Sequence, residues 1–378
     1  MYGCPFGLGS VVLTFNRLPA LMVAMTRRIL CVIHAAYFDD NIVMDAAPAA
    51  HKEQHLVQDW FGRVGTPPKP EKSFPMGPCR VVLGVLCEIS AACDDSFVVL
   101  QPREKTRWQV LDGLQRAVDT RYLTSGDASK LRGRAGWVAS NSYGRIGRLG
   151  AQCLKQIQYV PGRAGSLDAE QVMHLNFHRQ LVAQMGPRVV HLQASSEYAH
   201  IAYTDAEYTA GQQPRVGGIL FAKNGDQPRG ATGLISFAQM RQWEERKQQI
   251  YLAELTAVPW LIAREAATLR GDDVIIFVDN EAAVASLVRV SSVTKDAALV
   301  VQVVHALLTF LQCRAWFEWI DSHSNQADGL SRDGLNVPQA RGPTPAWKCG
   351  VFEPVRPWSS DESPWRIARE LLELRGRV

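Results

Sequence analysis

Hydrophobic and polar positions divide this chain into stretches of distinct period. From about residue 189 onward short strands dominate. Ala199-His200-Ile201-Ala202-Tyr203-Thr204-Asp205 alternates and ends in an acid. Gly217-Gly218-Ile219-Leu220-Phe221 is a second strand and Gly233-Leu234-Ile235-Ser236 a weaker third. Residues 248–269 then repeat at helical spacing, with Leu252, Leu255, Val258, Ile262, Ala266 and Leu269 on one stripe. Asp273-Val274-Ile275-Ile276-Phe277-Val278-Asp279-Asn280 is a short buried strand bounded by polar residues. Helices over 281–287 and 296–311, a strand over 314–320, and a polar loop entering a helix over 322–332 complete this region.

The first 190 residues are less regular. Val12, Phe15, Leu18, Leu21 and Met25 predict a buried helix, although Pro19 falls inside it. Ala35 to Met44 reads as a β-hairpin with Asp39 and Asp40 at its tip. Residues 91–160 read as helical, with Trp108, Val110, Leu111, Leu114 and Val118 as the apolar face. A second helix there starts near Ala128, capped by Asp127 or Ser125. Residues 151–186 are of mixed polarity and read in part as connector. After Gly334 the chain is rich in Pro and Trp and ends in a helix over Trp365–Leu374.

Four acids stand where strands or helices of the second half deliver them: Asp205, Glu254, Asp279 and Asp328. Each has an ordinary alternative. Asp205 reads also as a strand-end turn, Glu254 as a surface charge, Asp279 as a helix N-cap with Asn280 in the first turn, and Asp328 as an N-cap. Asp39-Asp40 reads equally as an exposed turn, but only a turn lets two adjacent acids approach one site.

Composition narrows the partners. Of 378 residues 47% are hydrophobic, and the net charge is +4. The excess is concentrated between 101 and 160, where eleven Lys/Arg face four Asp/Glu. Lys130, Arg132, Arg134, Arg145 and Arg148 are candidates to line a phosphate backbone, with a solvated basic face as the alternative. Eight cysteines are scattered without a C-x-x-C pair, which indicates neither a zinc site nor a disulfide framework and predicts an intracellular protein, in cytoplasm or nucleus. No apolar run is long enough for a membrane span.

Tyr37-Phe38-Asp39-Asp40 resembles the Y-x-D-D motif of retroelement reverse transcriptases. Pro5-Phe6-Gly7-Leu8 with Phe15-Asn16-Arg17-Leu18 resembles the segment before it, and Lys69, Lys72 and Val81-Val82-Leu83-Gly84-Val85 the closing strands of the palm. The strand and helix order of the second half, with Asn325-Gln326-Ala327-Asp328-Gly329-Leu330-Ser331-Arg332, resembles the ribonuclease H domain of the same elements. The resemblance implies an α/β chain: an α+β palm region over 1–95, a helical thumb over 96–160, a connector over 161–190, a ribonuclease H-like mixed sheet with flanking helices over 191–335, and a tail over 336–378. It implies that Asp205, Glu254, Asp279 and Asp328 hold two Mg²⁺ ions, with Mn²⁺ as substitute, for cleaving the RNA strand of an RNA–DNA hybrid. Asp39, with Asp40 weaker, would serve primer–template synthesis. The family's other palm acid precedes the P-F-G turn and has no counterpart here, so negligible synthesis is expected. A relic that only binds nucleic acid, or another nuclease or integrase of this fold, are the alternative readings. His323 lies only five residues before Asp328, and Pro259 sits one turn beyond Glu254, where it is expected to kink the helix. Lys295 and Arg332 are further candidate substrate contacts.

Overall fold

The computed structural model describes residues 9–38, 40–46, 48–92, 95–141, 148–192, 199–246 and 249–375. Two compact units divide it, Met1–Val98 and Val99–Val378.

In the first unit a helix, Gly9–Ile29, runs through Pro19 into the hairpin Ile33–Tyr37/Asp40–Met44. Tyr37 pairs with Asp40, and Phe38, in the turn after Tyr37, has φ 54°. His34 is buried and bridges Thr26 (2.7 Å) and Asn41 (3.1 Å), which ties the hairpin to the helix. A helix at Ala50–Arg63 adds Val57 and Phe61 to a small core with Met22 and Val32. The predicted apolar face of the first helix is not the buried one. Phe15, Leu18 and Leu21 are 46%, 47% and 55% exposed, and the buried stripe runs instead through Met22 and Thr26. The Leu83-Gly84 turn joins strands Cys79–Val82 and Val85–Glu88, both turn residues having positive φ. The Pro5-Phe6-Gly7-Leu8 segment and Asp39 lie outside the described residues, as does the side chain of Val12.

The second unit opens with four helices, α1 (Glu104–Thr120), α2 (Ser125–Ser140), α3 (Arg148–Tyr159) and α4 (Ala169–Gln184). Val110, Leu114 and Ala117 form the buried stripe of α1, and Trp108, expected on that face, is 65% exposed. Residues 91–160 are not helical throughout, since Phe97–Pro102 is a strand. Thr124 caps α2, its hydroxyl accepting from the Asp127 N–H (3.1 Å), rather than Asp127 or Ser125. The supposed connector is largely α4, started by a capping box in which Asp168 and Gln171 bond each other's backbone N–H.

A six-stranded mixed sheet follows: β1 (His200–Glu207), β2 (Arg215–Phe221), β3 (Arg229–Leu234), β4 (Asp273–Val278), β5 (Arg314–Trp319) and β6 (Lys348–Val351). The strand order is 5-4-1-2-3-6, with β1, β2 and β3 antiparallel, β4 parallel to β1, and β5 parallel to β4. This is the mixed sheet with flanking helices expected over 191–335, extended by β6, which pairs in parallel with β3. Helices α5 (Ile250–Arg264), α6 (Glu281–Arg289) and α7 (Lys295–Leu311) contribute the main core, while the short α8 (Asp328–Arg332) covers the other face of β2 with Ile219, Leu330, Val337 and Trp347. The terminal helix α9 (Pro364–Arg375) packs on α7 and α5; its Trp365 stacks on Phe177 at 5.3 Å and donates to the Phe177 carbonyl. Residues 336–375 are thus part of the second unit's core.

Candidate functional site

Two adjacent glycines in β2 admit the elements that frame the site. A Cβ on Gly217 would stand 2.6 Å from the Ser331 nitrogen and 2.8 Å from the Ala327 carbonyl, so only glycine lets α8 lie on this strand. A Cβ on Gly218 would stand 3.2 Å from Leu261 on the opposite face, where α5 crosses. Gly217 is the cross-strand partner of Asp205, and the acids of α8 and β1 therefore meet over it.

Parallel pairing does the rest. Val278 is in register with Thr204, so the next residues, Asp279 just past the end of β4 and Asp205 near the end of β1, sit side by side. The helix after β4 is capped by Asn280, whose Oδ1 accepts from the Ala283 N–H at 3.1 Å, and Asp279 is spared that role. The Trp319 indole N–H donates to the Asp279 carbonyl (3.0 Å), fixing the backbone there. Glu254 comes from the N-terminal part of α5. That helix runs through Pro259 without a break and ends only at Glu265, so the expected kink does not interrupt it.

Asp205, Glu254 and Asp279 each offer an oxygen within 4.8 Å of the others. Asp328 lines the same cleft of about 360 Å³, together with Glu207, Tyr208, Asn280, Ser322 and Arg332. The Asp328 carboxylate pairs with Arg332 at 2.9 Å. Behind the cleft, Ser331 donates to Asp205 Oδ2, and its oxygen lies 2.8 Å from the Asp328 carbonyl. Asn325 donates to the Thr204 carbonyl at 3.0 Å and reaches Asp205 Oδ1 at 3.4 Å.

Burial of these acids is costly unless a cation compensates. Asp205 and Glu254 are each 4% exposed. Burial pushes the Asp205 carboxyl up to about 7, helped by the nearby charges of Asp279 and Asp328 and opposed by the Ser331 hydroxyl. Glu254 is held well above the usual carboxylate range, first by burial, then by Asp205 and Asp279, with a hydrogen bond from the Ala206 backbone pulling the other way. Glu254 Oε2 is buried without a hydrogen-bond partner among the described residues. Clustered hard oxygen donors, one of them unsatisfied, fit a hard metal cation. No other group of three or more acidic, His or Cys side chains comes this close among the described residues, and Asp40 belongs to none.

The candidate basic residues are not gathered in the same way. Lys130 and Arg134 are exposed one turn apart on α2, Lys130 lying 3.6 Å from Asp127. Arg132 points about 200° around the helix from Lys130, and it sits 5.2 Å over the Tyr159 ring. Arg145 lies outside the described residues, and of Arg148 only the backbone is described, at the start of α3. His323 is exposed beside the cleft without lining it, and Lys295 is engaged with Glu170 at 3.4 Å. Sequence reasoning missed Glu207, Asn325 and Ser331. A polar residue two positions beyond a strand acid was the available signal for Glu207.

No family model and no curated protein matches the chain. Solved structures it is similar to include the foamy viral protease-reverse transcriptase in complex with an RNA/DNA hybrid, at 11% identity and TM-score 0.41, over 90% of this chain and 41% of that one. Another is the foamy viral protease-reverse transcriptase dRH in complex with double-stranded DNA, at 11% identity and TM-score 0.38, over 81% and 49%. The chain spans less than half the length of each. Likeness at that level decides nothing about chemistry, which rests on the residues themselves.

Proposed function

We propose that the second unit is a ribonuclease H-type endonuclease, cleaving the RNA strand of RNA–DNA hybrids in the manner of retroelement reverse transcriptases. The observation that carries this reading is the convergence of Asp205, Glu254 and Asp279, from three separate elements, within 4.8 Å. Two divalent ions, when bound, would supply an activated water and neutralise charge on the leaving oxygen.

The chain's own residues then have defined tasks. Asp205 and Asp279 present carboxylates from a rigid sheet, where strand register fixes their separation. Glu254 adds a buried oxygen with no other partner among the described residues. Asp328 and Arg332 stand at the cleft's mouth on one helical turn. There the guanidinium can engage a phosphate while the carboxylate turns inward. The cleft is open rather than enclosed, as a duplex substrate requires. Lys130 and Arg134 are assigned to the sugar–phosphate backbone, contributing affinity without sequence preference. Selection of hybrid over DNA is attributed to groove shape and 2′-hydroxyl contacts. The Asp39-Asp40 hairpin is assigned no chemistry.

A panel of end-labelled duplexes tests the reading. With Mg²⁺ the chain should cut the RNA of a hybrid and spare double-stranded DNA, and EDTA should stop it. Preferential cutting or joining of double-stranded DNA would move the assignment to another nuclease or integrase. Salt-sensitive hybrid binding without turnover would leave a binding protein.

A further inference from the structure

We propose that Ser331 and Asn325 are positioning residues that set the orientation of Asp205 for divalent cation binding, an inference resting on the metal role of the acid cluster. The two residues flank Asp328 in one short segment, and each addresses a different oxygen of the same carboxylate. Ser331 bonds Oδ2, and Asn325 Nδ2 lies 3.4 Å from Oδ1 while holding the Thr204 carbonyl at 3.0 Å. Asn325 is itself locked, because its Oδ1 accepts from the Ala327 N–H at 3.1 Å. Ser331 is fully buried and Asn325 nearly so, and neither lines the cleft.

A packing role alone would not require this chemistry. Alanine packs the Ser331 site about as well as serine does, and satisfying the buried Thr204 carbonyl does not by itself require the Asn325 amide to reach Asp205 Oδ1 as well. What the polar atoms add is a fixed Asp205 rotamer and a fixed distance to the turn bearing Asp328, since the Ser331 oxygen also lies 2.8 Å from the Asp328 carbonyl. Partners behind a ligating carboxylate act in this way, and losing one typically weakens metal binding or activity about 10–100-fold. The absence of a side chain at Gly217 seats the whole segment, so its role belongs to the same device.

The test is Mn²⁺ binding to the full chain, read from the electron paramagnetic resonance of free Mn²⁺, with no nucleic acid present. Wild type, Ser331→Ala, Ser331→Thr and Asn325→Ala are compared well below their melting temperatures, which are measured in EDTA. Ser331→Ala and Asn325→Ala should bind Mn²⁺ about 10–100-fold more weakly, and Ser331→Thr, which keeps the hydroxyl, should bind more tightly than Ser331→Ala. Binding within twofold of wild type in Ser331→Ala, or no Mn²⁺ binding by wild type, overturns the proposal. A wild type that binds Mn²⁺ and cuts no hybrid removes the nuclease reading and leaves the positioning role intact.

Discussion

Replacing Asp205 with Asn should make the metal-free protein more stable at pH 8, although it removes a central ligand. Asp205 is buried against like charges, and its carboxyl is raised from an ordinary 3.8 to about 7. That difference corresponds to about 4 kcal/mol between the two protonation states. The sign follows from proton uptake. Between pH 4 and 7 the folded chain holds a proton that the unfolded chain has released. The contribution of Asp205 is therefore complete below pH 4, falls as pH rises, and is lost above pH 7. Asn keeps the shape, accepts from Ser331, and carries no charge at any pH. Urea unfolding in EDTA, followed from pH 4 to 8, is the assay. The stability of Asp205→Asn relative to wild type should rise across this window, reaching up to about 4 kcal/mol at pH 8. Saturating Mg²⁺ should narrow the gap by stabilising wild type alone. A stability difference between variant and wild type that is unchanged from pH 4 to 7, or a variant less stable than wild type at pH 8, would refute the reasoning.

Gly217→Ala should displace α8, costing about 1–3 kcal/mol by overpacking and weakening Mn²⁺ binding; unchanged denaturation and binding would show that the strand has slack there. Trp365→Ala should cost about 3–5 kcal/mol, because that ring fills the contact between α9 and the core; a loss under 1 kcal/mol in urea would mean the tail is only loosely attached. Lys130→Ala with Arg134→Ala should lower hybrid affinity and reduce the slope of log affinity on log salt by about 2, leaving cleavage at saturating hybrid unchanged. An unaltered slope would free these residues from the backbone role.

Much of the second unit was legible because strong local patterns agreed with the tertiary result. The run from Asp273 to Val278 is a strand, and Asp279 follows it directly. Asp279 read also as the cap of the following helix with Asn280 in its first turn, whereas the cap is Asn280 itself. Asp205 stands two residues before the end of β1 rather than at it, since pairing with β2 extends the strand to Glu207. Gly217-Gly218 was visible as part of a strand, yet its meaning lies in the two elements that approach from opposite faces. Helix faces were less legible. Phe15, Leu18 and Leu21 keep helical spacing but face outward, and Trp108 does the same on α1. Periodicity shows that a stripe exists without showing which side is covered. The helix α4 was hidden by a nearly even distribution of apolar residues, although the Asp168-x-x-Gln171 cap was a readable start signal. The basic residues of α2 were counted together in sequence, and helical geometry then separated Arg132 from Lys130 and Arg134.

Hydrolysis of a 5′-labelled RNA annealed to DNA, with wild type and Asp279→Asn at equal concentration in Mg²⁺, tests the central claim most directly. Wild type should release shortened RNA fragments, and Asp279→Asn, whose strand and Asn280 cap are unaltered, should lose at least about a thousandfold in rate, equivalent to about 4 kcal/mol of barrier. Equal cleavage by both proteins, or intact RNA with wild type, would contradict the account.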